Sequence, residues 1–249
     1  MTWSIVAHDP VSGAFAVAVT TCAFAVGASC PYVRAGVGAV STQSFTNRYL
    51  GPAVLDGLAR GLSPSAAIQG ALAGDEGRDL RQIHAVDRHG NSAAWTGESC
   101  VEWAGSQSGP GFSVAGNMLS GAAVVGETAA TFASAASMPL PERLMLALDA
   151  GEAAGGDRRG RQSAAMKLIT TEDFPDLDLR VDDHAAPLTE LRRLLGIWRR
   201  ERAPGLAFAP RKADPAGLTD RALIEAGWRA RGLDLRFPDR KRRPEQAGS

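Results

Sequence analysis

The chain opens on short apolar stretches without helical spacing and only later takes up a three-to-four period. Residues 1–40 are rich in Val, Ala, Phe and Thr, and His8-Asp9-Pro10 and Ser12-Gly13 supply turn chemistry between the runs. This predicts a hairpin of strands over 3–7 and 14–21. A third strand is expected over 36–43, after the Cys30-Pro31 break. A strand starting almost at the first residue is unusual, because chain ends are generally loose.

Helical spacing follows. Pro52 suits a first turn, and Val54, Leu55, Leu58 and Leu62 form one face. Ser63-Pro64 reads as an N-cap and first residue of a second helix that packs through Ile68 and Leu72. Strands are predicted over 82–87, 92–96 and 100–105, the first two joined by the turn His89-Gly90-Asn91. Beyond a Gly-rich stretch over 108–117, helices are expected over 122–136 and 141–154, the second stopped by Gly155-Gly156. Strands over 163–170 and 177–181 follow, and Leu188, Leu191, Leu194, Leu195 and Trp198 mark an amphipathic helix. Strands, helices and strands again, without strict alternation, predict an α+β domain of mostly antiparallel sheets over 1–202. Residues 203–249, with five prolines, one short candidate helix over 218–231 and a basic end, read as an appendage.

Composition narrows the classes. With 249 residues, 45% apolar and 22% charged, the chain can bury a substantial core without staples. Basic and acidic residues balance at 27 each, so no long-range field favours nucleic acid or an anionic membrane. The balance is local, since Arg192, Arg193, Arg199, Arg200 and Arg240, Lys241, Arg242 and Arg243 crowd the C-terminal part. That run reads as a solvated face rather than a nucleic-acid contact. Cys22, Cys30 and Cys100 form an odd set with no C-x-x-C pair, which argues against a disulfide framework and against zinc, and suits a reducing compartment. The apolar run 14–28 lacks a basic leader and is too short and Thr-rich to span a bilayer, so a cytoplasmic protein without membrane contact is expected.

Candidate chemistry begins at Thr2. Removal of an initiator Met is favoured by a small second residue, and a terminal threonine carries a nucleophilic hydroxyl and a free amine together. That amine has a reference pKa of about 7.7–8.0, so a modest downward shift makes it a competent base. Read from the residue alone, the stronger reading is that Thr2 is merely the second residue of an ordinary frayed terminus.

Five ordered blocks change that reading. MTWSIVA at 1–7, RAGVGAVSTQ at 34–43, GNML at 116–119, AGGDRRGRQSAA at 154–165 and DLRVDDH at 178–184 together resemble a widespread bacterial and archaeal family. It is the domain of unknown function numbered one thousand and twenty-eight, to which an N-terminal-nucleophile (Ntn) hydrolase fold is assigned. The resemblance covers about residues 1–202. It implies a four-layer αββα sandwich whose active site lies where the two sheets open and the first strand delivers its terminal residue. It also implies amide hydrolysis at Thr2 and leaves the substrate open.

The loop over 156–163 offers three guanidiniums in four residues. Arg158, Arg159 and Arg161 can clamp a substrate carboxylate, and Asp157 can orient the terminal amine; the plain alternative is a solvated loop or ion pairs at a subunit interface. Asn117 is the first candidate oxyanion donor and Gln43 the second, although both also suit a turn or a strand end. Thr20, Thr21, Cys22 and Cys30 lie close to the first hairpin, where a hydroxyl can touch the Thr2 amine. Asp182, Asp183 and His184 follow a strand; adjacent carboxylates point apart there, so helix capping or pairing with the Arg loop is expected over metal binding. Trp95 and Trp103 read as core or groove walls. The expected protein is a cofactor-free and metal-free homo-oligomeric amidohydrolase acting on a small amide or peptide-like metabolite. A non-catalytic ligand-binding or assembly protein of the same fold is the alternative.

Overall fold

A computed structural model describes residues 2–232. Two compact units divide between Leu195 and Gly196.

The first unit contains ten strands in two sheets. The larger sheet has the order β10-β9-β2-β1-β8-β7, built from β1 (Thr2–Asp9), β2 (Ala14–Thr21), β7 (Gly105–Gly109), β8 (Phe112–Asn117), β9 (Ser163–Ile169) and β10 (Leu177–Val181). The smaller has the order β3-β4-β5-β6, from β3 (Pro31–Arg34), β4 (Gly38–Ser44), β5 (Arg81–Asp87) and β6 (Ser92–Thr96). All the pairings are antiparallel. Helices α1 (Leu50–Ala59) and α2 (Pro64–Leu72) cover the smaller sheet, while α3 (Ala122–Ser134) and α4 (Leu140–Ala153) cover the larger. β1 and β2 of one sheet face β4 and β3 of the other, so the order is αββα. The fold is an α+β four-layer sandwich.

Local sequence explains the outer layers. Ser63 accepts the Ala66 N–H at 3.3 Å and Pro64 opens α2, while α1 buries Val54, Leu55 and Leu58 against Val40, Ile83 and Ala85. The face expected to include Leu62 is shorter, because α1 ends at Ala59 and left-handed Gly61 turns the chain, leaving Leu62 exposed. Trp3 faces the opposite way, toward α4, where a Cβ on Gly151 would lie 2.8 Å from its indole nitrogen. That close approach holds the start of β1 against the helix layer.

The stretch over 100–117 departs from expectation. No strand forms over 100–104; Glu102 and Trp103 lie in a bend, and the β7–β8 hairpin begins only at Gly105. Gly and Ser conceal it, since they carry little β-propensity, and Gly109 is needed where the Phe112 ring presses on the backbone. Asn117 therefore ends a buried strand instead of sitting in a turn.

The α5 helix (Pro187–Glu201) buries Leu188, Leu191 and Leu195. In the second unit, α6 (Arg221–Ala230) is capped by Asp220, and the Arg231 guanidinium lies 4.8 Å from the centre of the Phe208 ring. The basic run at Arg236 and Arg240–Arg243 lies outside the described residues.

Candidate active site

The space between the sheets is apolar at one end and polar at the other. Val6, Phe15, Val17, Ala39, Val86 and Ile169 fill the apolar end. On β1, β4 and β5 of the same strands, Thr2, Ser4, Ser41, Gln43, Gln82 and His84 are buried, as are Ser113 and Asn117 on neighbouring β8. Burying so many polar groups is costly unless they satisfy one another. The polar end converges on Thr2.

Thr2 is the first residue of β1, which runs between β2 and β8. It pairs with Asn117 across the β1–β8 ladder, is 7% exposed, and its hydroxyl lies 3.1 Å from the Thr21 hydroxyl at the end of β2. Its carbonyl faces two side-chain amides, Gln43 Nε2 at 3.4 Å and Asn117 Nδ2 at 3.5 Å. Gln43 Nε2 also donates to Gln82 Oε1 at 2.8 Å and to the Ala115 carbonyl at 3.1 Å, and Asn117 Nδ2 donates to Gln82 Oε1 at 3.0 Å. Thus Gln43 and Asn117, singled out from sequence as oxyanion donors, meet at Thr2 with their N–H groups engaged inside the protein.

Deeper in the layer, Ser4 Oγ lies 2.7 Å from Gln43 Oε1, 2.7 Å from His84 Nε2 and 3.0 Å from Ser41 Oγ. Ser4 and His84 have the spacing of a nucleophile and its base, but both are fully buried, which denies a substrate access. Burial pushes the His84 imidazole down to about 3, the nearby Ser113 backbone opposing this only in part, so the ring is neutral. Its Nδ1 makes no well-formed hydrogen bond.

Asp157 comes to the same end. Its side chain is 1% exposed and accepts the Cys22 N–H at 2.8 Å, the Arg159 N–H at 2.8 Å and the Arg159 guanidinium at 3.3 Å. The β1–β8 register puts Thr2 opposite Asn117, so Leu119 lies opposite the place two positions upstream of Thr2. Asp157 pairs with Leu119 there. Two strand positions span about 6–7 Å, so the Asp157 carboxylate stands in front of the start of β1, between the ends of β2 and β8.

The guanidiniums divide. Arg159 turns back to Asp157 and Arg161 pairs with Glu152, whose own pKa is raised by burial despite Arg161, with Asp157 adding to the rise. Arg158 is exposed. Asp182 pairs with Arg180, and Asp183 accepts from Gln162 of the Arg loop at 3.2 Å. The His184 ring accepts the Ala186 N–H at the approach to α5.

Backbone strain marks the same end of the sandwich. The described non-glycine residues with left-handed backbone are Ala25, Ser44 and Met118, at φ 55°, 71° and 55°. They follow or close β2, β4 and β8, the strands that end around Thr2. Each such residue costs about 1–3 kcal/mol and persists only where the surroundings enforce it, typically at functional sites. Phe24 and Phe45, 70% and 61% exposed, lie on two of these loops. A separate cleft of about 280 Å³, lined by Tyr32, Leu55, Lys167 and Asp173 among others, shares no residue with the Thr2 network.

Sequence reasoning missed Ser4, Ser41, Gln82 and His84. Alternation along 2–5 assigns Thr2 and Ser4 to a solvent face, and only the second sheet makes that face interior.

The family of unknown function DUF1028 matches residues 2–191. The chain belongs to this family. A crystal structure of a DUF1028 protein from Silicibacter pomeroyi is similar over 88% of this chain and 96% of that one, with 31% identity and a TM-score of 0.82. Weaker likenesses are to Anbu (ancestral beta-subunit) from Yersinia bercovieri, 10% identical over 78% of this chain and 93% of that one, TM-score 0.36, and to Anbu from Hyphomicrobium sp. strain MC1, 10% identical over 80% and 95%, TM-score 0.39. At those scores neither bears on the DUF1028 site. No curated protein matches the chain. Among the described residues, no helix is long and apolar enough to cross a membrane.

Proposed function

We propose that this DUF1028 protein is an N-terminal-nucleophile amidohydrolase in which Thr2, made terminal by removal of Met1, attacks the carbonyl of a small amide or peptide-like metabolite. One observation supports the reading: the polar end of the intersheet space converges on the first residue of a central strand, where a hydroxyl and two amides meet and beyond which Asp157 pairs with Leu119.

The Thr2 amine takes the Oγ1 proton as Oγ1 bonds to the substrate carbonyl carbon. The oxyanion collapses, the C–N bond breaks, and the amine passes its proton to the leaving nitrogen. Water, deprotonated by the same amine, then cleaves the Thr2 ester and releases the acid. Asp157 orients the amine. The Cys22 and Arg159 donors hold its carboxylate in place. Asn117 is the proposed oxyanion donor. Its 3.5 Å bond to the Thr2 carbonyl is at the outer limit and readily exchanged, whereas Gln43 is held by shorter bonds deeper inside.

The exposed Arg158, Arg159 and Arg161 guanidiniums of the loop over 156–163 are suited to a substrate carboxylate. Phe24 and Phe45 offer apolar contact at the rim. No cofactor or metal is required by this chemistry. The free state of all three cysteines suits a cytoplasmic setting, and the outer edge of β7 offers a place for a second copy in a homo-oligomer.

The low exposure of Thr2 favours a second reading, a ligand-binding or assembly protein that keeps the fold without turnover. Intact-mass measurement after exposure to an alkyne-bearing β-lactone separates the two. The enzyme reading expects loss of Met1 and one acyl adduct on wild type but none on Thr2→Ala. Retained Met1, or equal labelling of both proteins, contradicts it.

A further inference from the structure

We infer that Gln82 is a positioning residue for Thr2, setting the direction of the nucleophile's amine through the side-chain amides of Gln43 and Asn117; this rests on the Thr2 reading above. Gln82 lies on β5 of the smaller sheet, opposite Gln43 on β4, and is fully buried. Its described route to Thr2 runs through the side chains of Gln43 and Asn117.

A residue made terminal by processing has no preceding peptide plane to hold it. Because Cα is tetrahedral, its amine direction follows once the carbonyl plane and the side-chain direction are fixed. Thr21 engages the side chain through the 3.1 Å hydroxyl contact. The carbonyl is engaged by Gln43 and Asn117. What decides the geometry is therefore which ends of those two amides face Thr2.

An amide oxygen and nitrogen have nearly the same shape, so orientation has to come from the partners. For Gln82 it is forced. Its Nε2 lies 2.8 Å from the Gly116 carbonyl and 3.2 Å from the Gly105 carbonyl, which can only accept, and 2.9 Å from Thr96 Oγ1. Its Oε1 therefore faces Gln43 and Asn117, and both must present N–H to it, at 2.8 and 3.0 Å. Gln43 has a further anchor in the Ala115 carbonyl, with its own Oε1 toward Ser4 and Ser41. Asn117 has less to hold it. Apart from Gln82, its described amide contact is the long one to the Thr2 carbonyl. Gln82 thus fixes the Asn117 amide, and with it the donor that braces the resting Thr2 carbonyl and is proposed to turn to the oxyanion as the reaction proceeds.

The test uses the full chain and the alkyne-bearing β-lactone, with labelling resolved into a maximal rate and a half-saturating concentration. Gln82→Met keeps the length and removes the amide. It is expected to lower the maximal rate about tenfold, with half-saturation changed by less than about twofold, since the loss falls on reaction geometry rather than binding. In 15N-labelled protein the side-chain amide signals of Asn117 and Gln43 should move. A folded Gln82→Met protein with an unchanged maximal rate overturns the inference and leaves Thr2 as nucleophile intact; a wild type that is never labelled contradicts the Thr2 reading itself.

Gln82→Glu keeps the test decisive should the Met variant not fold. The second oxygen of this carboxyl meets the Gly105 and Gly116 carbonyls and has to carry a proton, and burial raises its pKa. The other oxygen still accepts from Gln43 and Asn117, so labelling is expected within about threefold of wild type. Labelling about tenfold slower in a folded Gln82→Glu protein whose Asn117 amide signal is unmoved overturns the inference.

Discussion

Thr2 and Thr21 meet hydroxyl to hydroxyl, 3.1 Å apart, at the ends of two adjacent central strands. Both are buried, so the contact is shielded from competing water. Thr21→Val keeps the branched shape and removes the hydroxyl. The expected cost is about 1 kcal/mol of stability, together with slower acylation of Thr2 as its side chain gains freedom. Chemical denaturation and β-lactone labelling of the variant measure the two effects; an unchanged labelling rate would show that Thr21 does not hold the nucleophile.

Asp157 is held by three donors while standing in front of β1. Asp157→Asn preserves the shape but gives up charge-assisted bonds, and places an NH2 where donors already point. A loss of about 1.5–3 kcal/mol is expected, seen as a lower denaturation midpoint. Thr2 labelling should fall further than stability alone explains, because the amine loses its orienting carboxylate. Labelling at the wild-type rate in the folded variant would remove Asp157 from the mechanism.

His84 predicts a pH dependence of stability. Its folded pKa of about 3 lies below the ordinary value of 6.5, so between these values the unfolded chain binds the extra proton. Stability contributed by the neutral ring is complete above 6.5 and is lost as pH falls through that window toward about 3. The expected slope is about 1.4 kcal/mol per pH unit once well inside the window. His84→Gln retains a polar group beside Ser4 without the titration. Urea midpoints compared between about pH 7 and about pH 5 should fall more steeply for wild type than for the variant; parallel curves would show that His84 is not held neutral by burial.

Much of the frame was legible in the chain, and the reasons are local. The Val- and Ala-rich runs of β1 and β2 and the spacing of Leu188, Leu191 and Leu195 announce their elements because burial follows a fixed period. Thr2, Asn117, Gln43 and Asp157 came forward by residue type and family resemblance. What stayed hidden was the intersheet chemistry. Ser4 and His84 alternate with apolar neighbours as solvent-facing residues do, Ser41 and Gln82 each have a further polar neighbour, and only the packing of one sheet on the other turns these positions inward. The β7–β8 hairpin was concealed for a different reason, since its Gly and Ser residues form strand through the pairing of β7 with β8 and of β8 with β1 rather than through intrinsic preference.

The central claim, that processed Thr2 is the nucleophile, is tested most directly by locating the acyl group. Wild-type protein acylated with the β-lactone and digested should give a modified N-terminal peptide that begins at Thr2, with fragment ions placing the ester on that residue. An adduct on Cys22 or on a lysine, or an N-terminal peptide still carrying Met1, would contradict the account.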